Sequence, residues 1–150
     1  MGMGYVPQDP IRSPSPGSDV QGRQRRGTSS NRDIDISDRS RQQRGRWGED
    51  LAARWYRNEG FEVADRNWRI TGGELDLVLR RDLLVVFCEV KTRATDAYGD
   101  PSLAVTWAKQ RRIRHLSIEW LIRHDVRGVD IRFDVVAIVG VRVTVIEAAF

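Results

Sequence analysis

The chain has 150 residues, 31% of them charged, and a formal net charge of +4. That length is one domain with room for a tail. The longest wholly apolar run, Leu83 to Cys88, is too short to span a bilayer, and one cysteine with two histidines excludes both a disulfide framework and a Cys/His zinc module.

No apolar secretory leader opens the chain, so it reads as a soluble cytoplasmic protein that makes no membrane contact. Arginine supplies 23 of the 25 basic residues. Against that background the two lysines, Lys91 and Lys109, stand out. A guanidinium cannot replace a compact ammonium of adjustable pKa.

Residues 1–43 hold four of the five prolines, seven serines and no alanine, with sparse apolar residues and no period. Such a segment cannot bury enough surface to offset its chain entropy, so a disordered tail is expected there. Its basic patch of Arg23, Arg25 and Arg26 is diluted by Asp33, Asp35 and Asp38. Residues 44–150 form the expected domain.

Trp47, Leu51 and Trp55 recur every four residues, which predicts a helix from about Arg46 to Glu59, ended by Gly60. A short strand over Phe61 to Ala64 follows, then a polar connection through Asn67 and a break at Gly72-Gly73. Glu74 to Arg80 alternates as a strand, Arg81-Asp82 turns, and Leu83 to Lys91 returns. Gly99-Asp100-Pro101 opens a second helix, capped by Asp100 and running to about Arg123. Arg132 to Val139 and Val141 to Glu147 close the order as strands. The expected class is α/β, a sheet flanked by helices in the order αβββαββ.

The hairpin carries the chemistry. Strand side chains alternate between faces, so Glu74 and Asp76 share one face, and Phe87, Glu89 and Lys91 share one face of the next strand. With a two-residue turn at Arg81-Asp82, Asp76 stands opposite Phe87 and Glu74 opposite Glu89. Asp76 and Glu89 then lie diagonally on one face, with Lys91 a step further. Leu75, Leu77, Leu84, Val86, Cys88 and Val90 form the opposite, core face. Clustered carboxylates repel one another and raise one another's pKa unless a cation fills the cluster. Two carboxylates with water suit Mg²⁺, and a lysine beside the ion orients a water or stabilises charge on a phosphate. An exposed hairpin face of mixed charge is the plainer alternative.

These residues resemble the PD-(D/E)xK nucleases of the restriction-endonuclease-like fold, with Leu75 where many members have proline before the first Asp. The likeness is closer to the YraN family of small bacterial proteins, which is similar to archaeal Holliday junction resolvases. It covers residues 44–140. It is carried by Gly45-Arg46-Trp47-Gly48-Glu49, Arg66-Asn67-Trp68-Arg69, Gly73-Glu74-Leu75-Asp76-Leu77, Val86 to Arg93, Lys109 to Ile113 and Arg132-Phe133-Asp134.

The resemblance implies a restriction-endonuclease-like core with a mixed sheet. It implies a Mg²⁺-dependent endonuclease, with Mn²⁺ as a substitute, acting on DNA and in particular on branched or flapped forms. Asp76 and Glu89 then hold the metal together with the Val90 carbonyl, and Lys91 is the catalytic lysine. Glu49 reaches the same site from the first helix; its alternative is an acidic residue favoured near a helix N-terminus by the dipole. A homodimer is implied as well, although no dimer seam is legible.

Glu74 reads as a supporting residue. Arg93, Lys109 and Arg112 are candidates for phosphate contacts, and Trp68, between Arg66 and Arg69, for stacking on a base. Solvated charge is the alternative for Arg93 and Arg112. For Lys109 it is a stem packed on the core with its head in water. The competing function is a nucleic-acid-binding module of this fold with little or no catalysis. A third, weaker reading is a protein-interaction module.

Overall fold

The computed structural model describes residues 31–93 and 105–150, with side chains from Asp38 onward. Most of the expected tail, including its basic patch, and the Gly99-Asp100-Pro101 helix start lie outside the described residues. The elements are α1 (Asn31–Asn58), β1 (Glu62–Ile70), β2 (Gly73–Arg81), β3 (Leu84–Arg93), α2 (Trp107–Arg123), β4 (Asp130–Val139) and β5 (Arg142–Ile146). The five strands form one mixed sheet in the order β1-β2-β3-β4-β5. Only β3 and β4 run parallel, joined by the crossover that contains α2. This is the expected αβββαββ arrangement of a restriction-endonuclease-like core.

The two helices cover opposite faces of the sheet. Ala52, Ala53 and Tyr56 of α1 pack on Leu77, Leu79, Val86, Cys88, Val136 and Ile138. Ile113, Leu116 and Trp120 of α2 pack on Leu75, Val78, Val85, Phe87 and Val135. Burial on both faces is why β3 and β4 read as near-continuous apolar runs. Each helix ends in a Schellman turn. In α1, Gly60 N–H donates to the Arg57 carbonyl and Phe61 N–H to Tyr56, with Gly60 at φ 84. In α2, Asp125 and Val126 repeat the pattern onto Ile122 and Leu121.

Four expectations change. First, α1 begins at Asn31, inside the segment read as a tail, and not at Arg46. Its upstream half has no apolar stripe, so periodicity misses it; the packed downstream half supplies the costly nucleus and elongation adds the rest.

Second, β1 runs nine residues to Ile70 and is no short strand. A register shift between Val63 and Asp65, and Asn67 at φ 51, break the alternation that would have revealed it. Third, α2 starts at Trp107 with Thr106 as its N-cap; Thr106 is extended, so no helix runs through it from Pro101.

Fourth, the β2–β3 turn is Asp82-Leu83, with Arg81 paired to Leu84. Moving the turn by one residue moves the register by two, so parity survives and the side chains keep their faces. The last ladder pair is Leu77 with Cys88. One step beyond it, Asp76 stands level with Glu89, not opposite Phe87. The alternation of β2 also breaks there, because Leu75 joins the α2-side core while Leu77 joins the α1 side.

Candidate functional site

The split between β2 and β3 builds the site. Beyond the last ladder pair, the Asp76 carboxylate replaces the missing strand bond: Val90 N–H donates to Asp76 Oδ2 at 2.9 Å. A residue's N–H and C=O point to the same edge of a strand, so the Val90 carbonyl faces this opening as well. Glu89 is 4% exposed. Its Oε1 lies 2.8 Å from Lys91 Nζ on its own strand and 3.2 Å from Lys109 Nζ, which arrives from α2. The Thr106 cap fixes that approach, since its hydroxyl accepts from Lys109 N–H. The head of Lys109 thus meets a carboxylate and does not end in open water.

The electrostatics mark Asp76. Its carboxyl is pushed up to about 7, first by burial and then by the charge of Glu89, with Glu49 adding to it; Val90 N–H and Lys109 pull the other way. Two further carboxylates therefore act on Asp76. Glu49 sits on α1 and accepts from Asn67 Nδ2 at 2.7 Å, with Arg66 3.8 Å away. Its placement depends on Gly48. A Cβ there would collide with Thr92 Oγ1 and crowd Ile138, so this glycine lets α1 lie close against β3. Glu74 is ion-paired to Arg69 at 2.7 Å, as suits a supporting residue.

These groups open into a cleft of about 570 Å³ whose lining includes Glu49, Glu74, Asp76, Glu89, Val90, Lys91, Arg93 and Lys109. Arg112 lines an adjoining cleft with Arg69, Gly73 and Glu74. Trp68 does not join them. Its ring packs against the α2-side core and meets His124 edge-on at 6.4 Å, so the expected stacking platform is part of the packing. Arg41 and Arg44 line the main cleft although nothing in the apolar pattern pointed to them. The available signal was spacing, because Arg41, Gly45, Gly48, Ala52 and Tyr56 continue one helical stripe.

A second buried acid lies away from the cleft. Asp134 is fully buried and accepts from Tyr56 Oη at 2.7 Å, from Arg132 Nε and Nη2 at 2.9 and 2.8 Å, and from Ala148 N–H at 3.1 Å. Arg132 also reaches Glu147 at 3.2 Å. Burial pushes the Tyr56 hydroxyl and the Cys88 thiol well above their ordinary values. This network holds α1 to β4.

No helix of the described residues is long and apolar enough to cross a membrane. A family model described as "Uncharacterised protein family UPF0102" matches residues 48–138. The chain is 49% identical over 98 residues to a UPF0102 protein of Beutenbergia cavernae, covering 65% of this chain and 83% of that one. A UPF0102 protein of Myxococcus xanthus is 47% identical over 100 residues, covering 67% and 79%. One from Rhodococcus opacus is 52% identical over 94 residues, covering 63% and 80%. The matched span holds Glu49, Asp76, Glu89, Lys91 and Lys109, and the chain belongs to the UPF0102 family, the YraN family that its motifs resemble.

Proposed function

We propose that this protein hydrolyses phosphodiester bonds in DNA with the help of Mg²⁺. The observation that carries this is the pairing of Asp76 and Glu89 across the split strands, with an ammonium on either side of Glu89. Two hard carboxylate oxygens and the Val90 carbonyl suit Mg²⁺, which keeps several waters. No group of three or more acidic, His or Cys side chains among the described residues is gathered as a metal cage, so water would complete the shell. Asp76, kept partly neutral by burial and by Glu89, is the kind of group that a cation relieves.

The bound ion supplies a Lewis acid and a water of lowered pKa. The chain's own groups do the rest. Glu89 holds Lys91 at the mouth of the cleft, where its ammonium donates to the attacking water or to a phosphoryl oxygen as negative charge builds there. Water oxygen bonds to phosphorus and gives up a proton to solvent, the ester P–O bond breaks, and the leaving oxygen takes a proton from solvent. Glu49 orients solvent from the opposite wall. Branched or flapped DNA is the substrate form carried over from the family resemblance, and a second copy of the chain would supply a second cut.

One observation favours a second reading, a nucleic-acid-binding module with little or no catalysis. Glu89 Oε1 is already engaged by two lysines, which hold the carboxylate without a metal. A cleavage assay separates the two. Labelled single strand, duplex, flap and four-way junction are incubated with Mg²⁺, with Mn²⁺ and with chelator, beside Lys91→Ala prepared identically. Metal-dependent cleavage by the native protein alone establishes the nuclease. Binding that survives in both proteins, with cleavage in neither, establishes the module.

A further inference from the structure

The upstream half of α1 reaches past the sheet that its downstream half packs on. Its inner stripe changes character along the way: Tyr56, Ala52 and Gly48 face strands, whereas Arg44 and Arg41 face the cleft. We infer that this overhang is a backbone clamp, with Arg41 and Arg44 gripping the phosphates of a nucleic-acid strand laid across the acidic floor. The inference rests on the nucleic-acid reading above and adds the element that holds the strand. It falls outside the span that the family match covers, which begins at Gly48.

The charges of the floor do not account for these arginines. Glu89 has Lys91 and Lys109, Glu74 has Arg69, Glu49 has Arg66 and Asn67, and Asp76 has the Val90 N–H with Lys109 as the cation that acts on it. Arg41 meets Asp38 on its own helix at 3.6 Å with both side chains mostly exposed, and Arg44 meets the Ser40 carbonyl at 3.3 Å. Contacts of that kind are worth little and are exchanged readily for a phosphate.

Position supplies the rest. The main cleft shares Gly45, Glu49 and Glu74 with a second cleft lined by Gln42, Arg46 and Arg69, and shares Glu74 and Lys109 with a third that reaches Arg112. The three therefore adjoin as one trough whose lining carries both basic side chains and carboxylates. A polyanion crossing it is held by the basic side chains and presents one phosphate to the floor. The domain's small net charge cannot bind nucleic acid in bulk, so a local rail of this kind is needed.

The test measures affinity by fluorescence anisotropy of labelled single-stranded and duplex DNA, on ice with Mg²⁺ and again with chelator, across a salt series. Three full-length proteins are compared: native, Arg41→Ala/Arg44→Ala, and Arg54→Ala/Arg57→Ala, which removes the same charge from exposed positions of α1 outside the cleft. Circular dichroism confirms that each is folded. The cleft double variant should bind roughly tenfold more weakly, with its salt slope reduced by about two, while the control pair matches native protein.

Equal loss in both pairs, or native affinity in the cleft pair, overturns the clamp and leaves the nuclease reading intact. Arginine-dependent binding without cleavage upholds the clamp and removes catalysis. Native protein that binds no nucleic acid in either condition overturns both.

Discussion

Asp134, fully buried, and Asp76, half-buried, are acids on the two strands that flank β3, yet their surroundings are opposite. Asp134 has four donors and one full positive charge, and Tyr56 of α1 and Ala148 beyond β5 tie it to other parts of the chain. Asp76 has one backbone donor and two acidic neighbours, and burial pushes it up to about 7. One carboxylate is balanced within the fold. The other is left in debt to something from outside, which is how structural and functional acids differ physically.

The largest effect should come from the balanced acid. Asp134→Ala leaves the buried Tyr56 hydroxyl and the Ala148 N–H without their acceptor and leaves the half-buried Arg132 with Glu147 alone, and should cost about 3–5 kcal/mol in urea unfolding, while cleavage per folded molecule is unchanged. A small loss of stability would erase the distinction.

Next comes Lys91→Ala, which should lower metal-dependent cleavage by about a hundredfold or more with a smaller loss of stability than Asp134→Ala, since the buried Glu89 keeps Lys109 as a partner. Cleavage rates on the best substrate decide this.

Gly48→Ala should lower stability by about 1–3 kcal/mol, because α1 must lift off Thr92 and Ile138 to seat the methyl group. It should also weaken cleavage by displacing Glu49.

The smallest effect is the most telling. The folded state holds the Asp76 proton to higher pH than the unfolded chain, from the ordinary 3.8 up to about 7. Asp76 therefore costs nothing below pH 4, and its penalty grows as pH rises to 7. Asp76→Asn should be more stable than native protein by roughly 1–2 kcal/mol at pH 8, and equal to it near pH 4, while losing cleavage. Mg²⁺ should raise the melting temperature of native protein at pH 8 and leave the variant unmoved. A destabilised Asp76→Asn at pH 8 would place Asp76 with Asp134.

Much of this was legible in the residues. The element order, the acidic pair on a shared face and Lys91 beside it follow from period-two alternation. That survives because a one-residue move of the Asp82-Leu83 turn preserves parity. The length of β1 was hidden by a bulge and by Asn67, and the face of Leu75 by the break at Asp76. Irregularities of this sort erase the pattern on which a reading depends. The place of Trp68 was hidden for a related reason: flanking arginines describe its neighbours in sequence, while its ring packs on α2-side residues remote in the chain.

The sequence by itself determined the elements, the two faces of the central strands and the chemical types at the site, because these depend on neighbours a few residues apart. Only the tertiary structure decided which groups meet. Lys109 reaches Glu89, Glu49 influences Asp76, and the arginines of α1 overhang the cleft, each through contacts between residues far apart in the chain. Such meetings are set by how helices seat on a sheet, here through Gly48 against Thr92 and Thr106 at the head of α2. Local spacing puts a residue on a face of its own element and does not say which residue of another element it will meet.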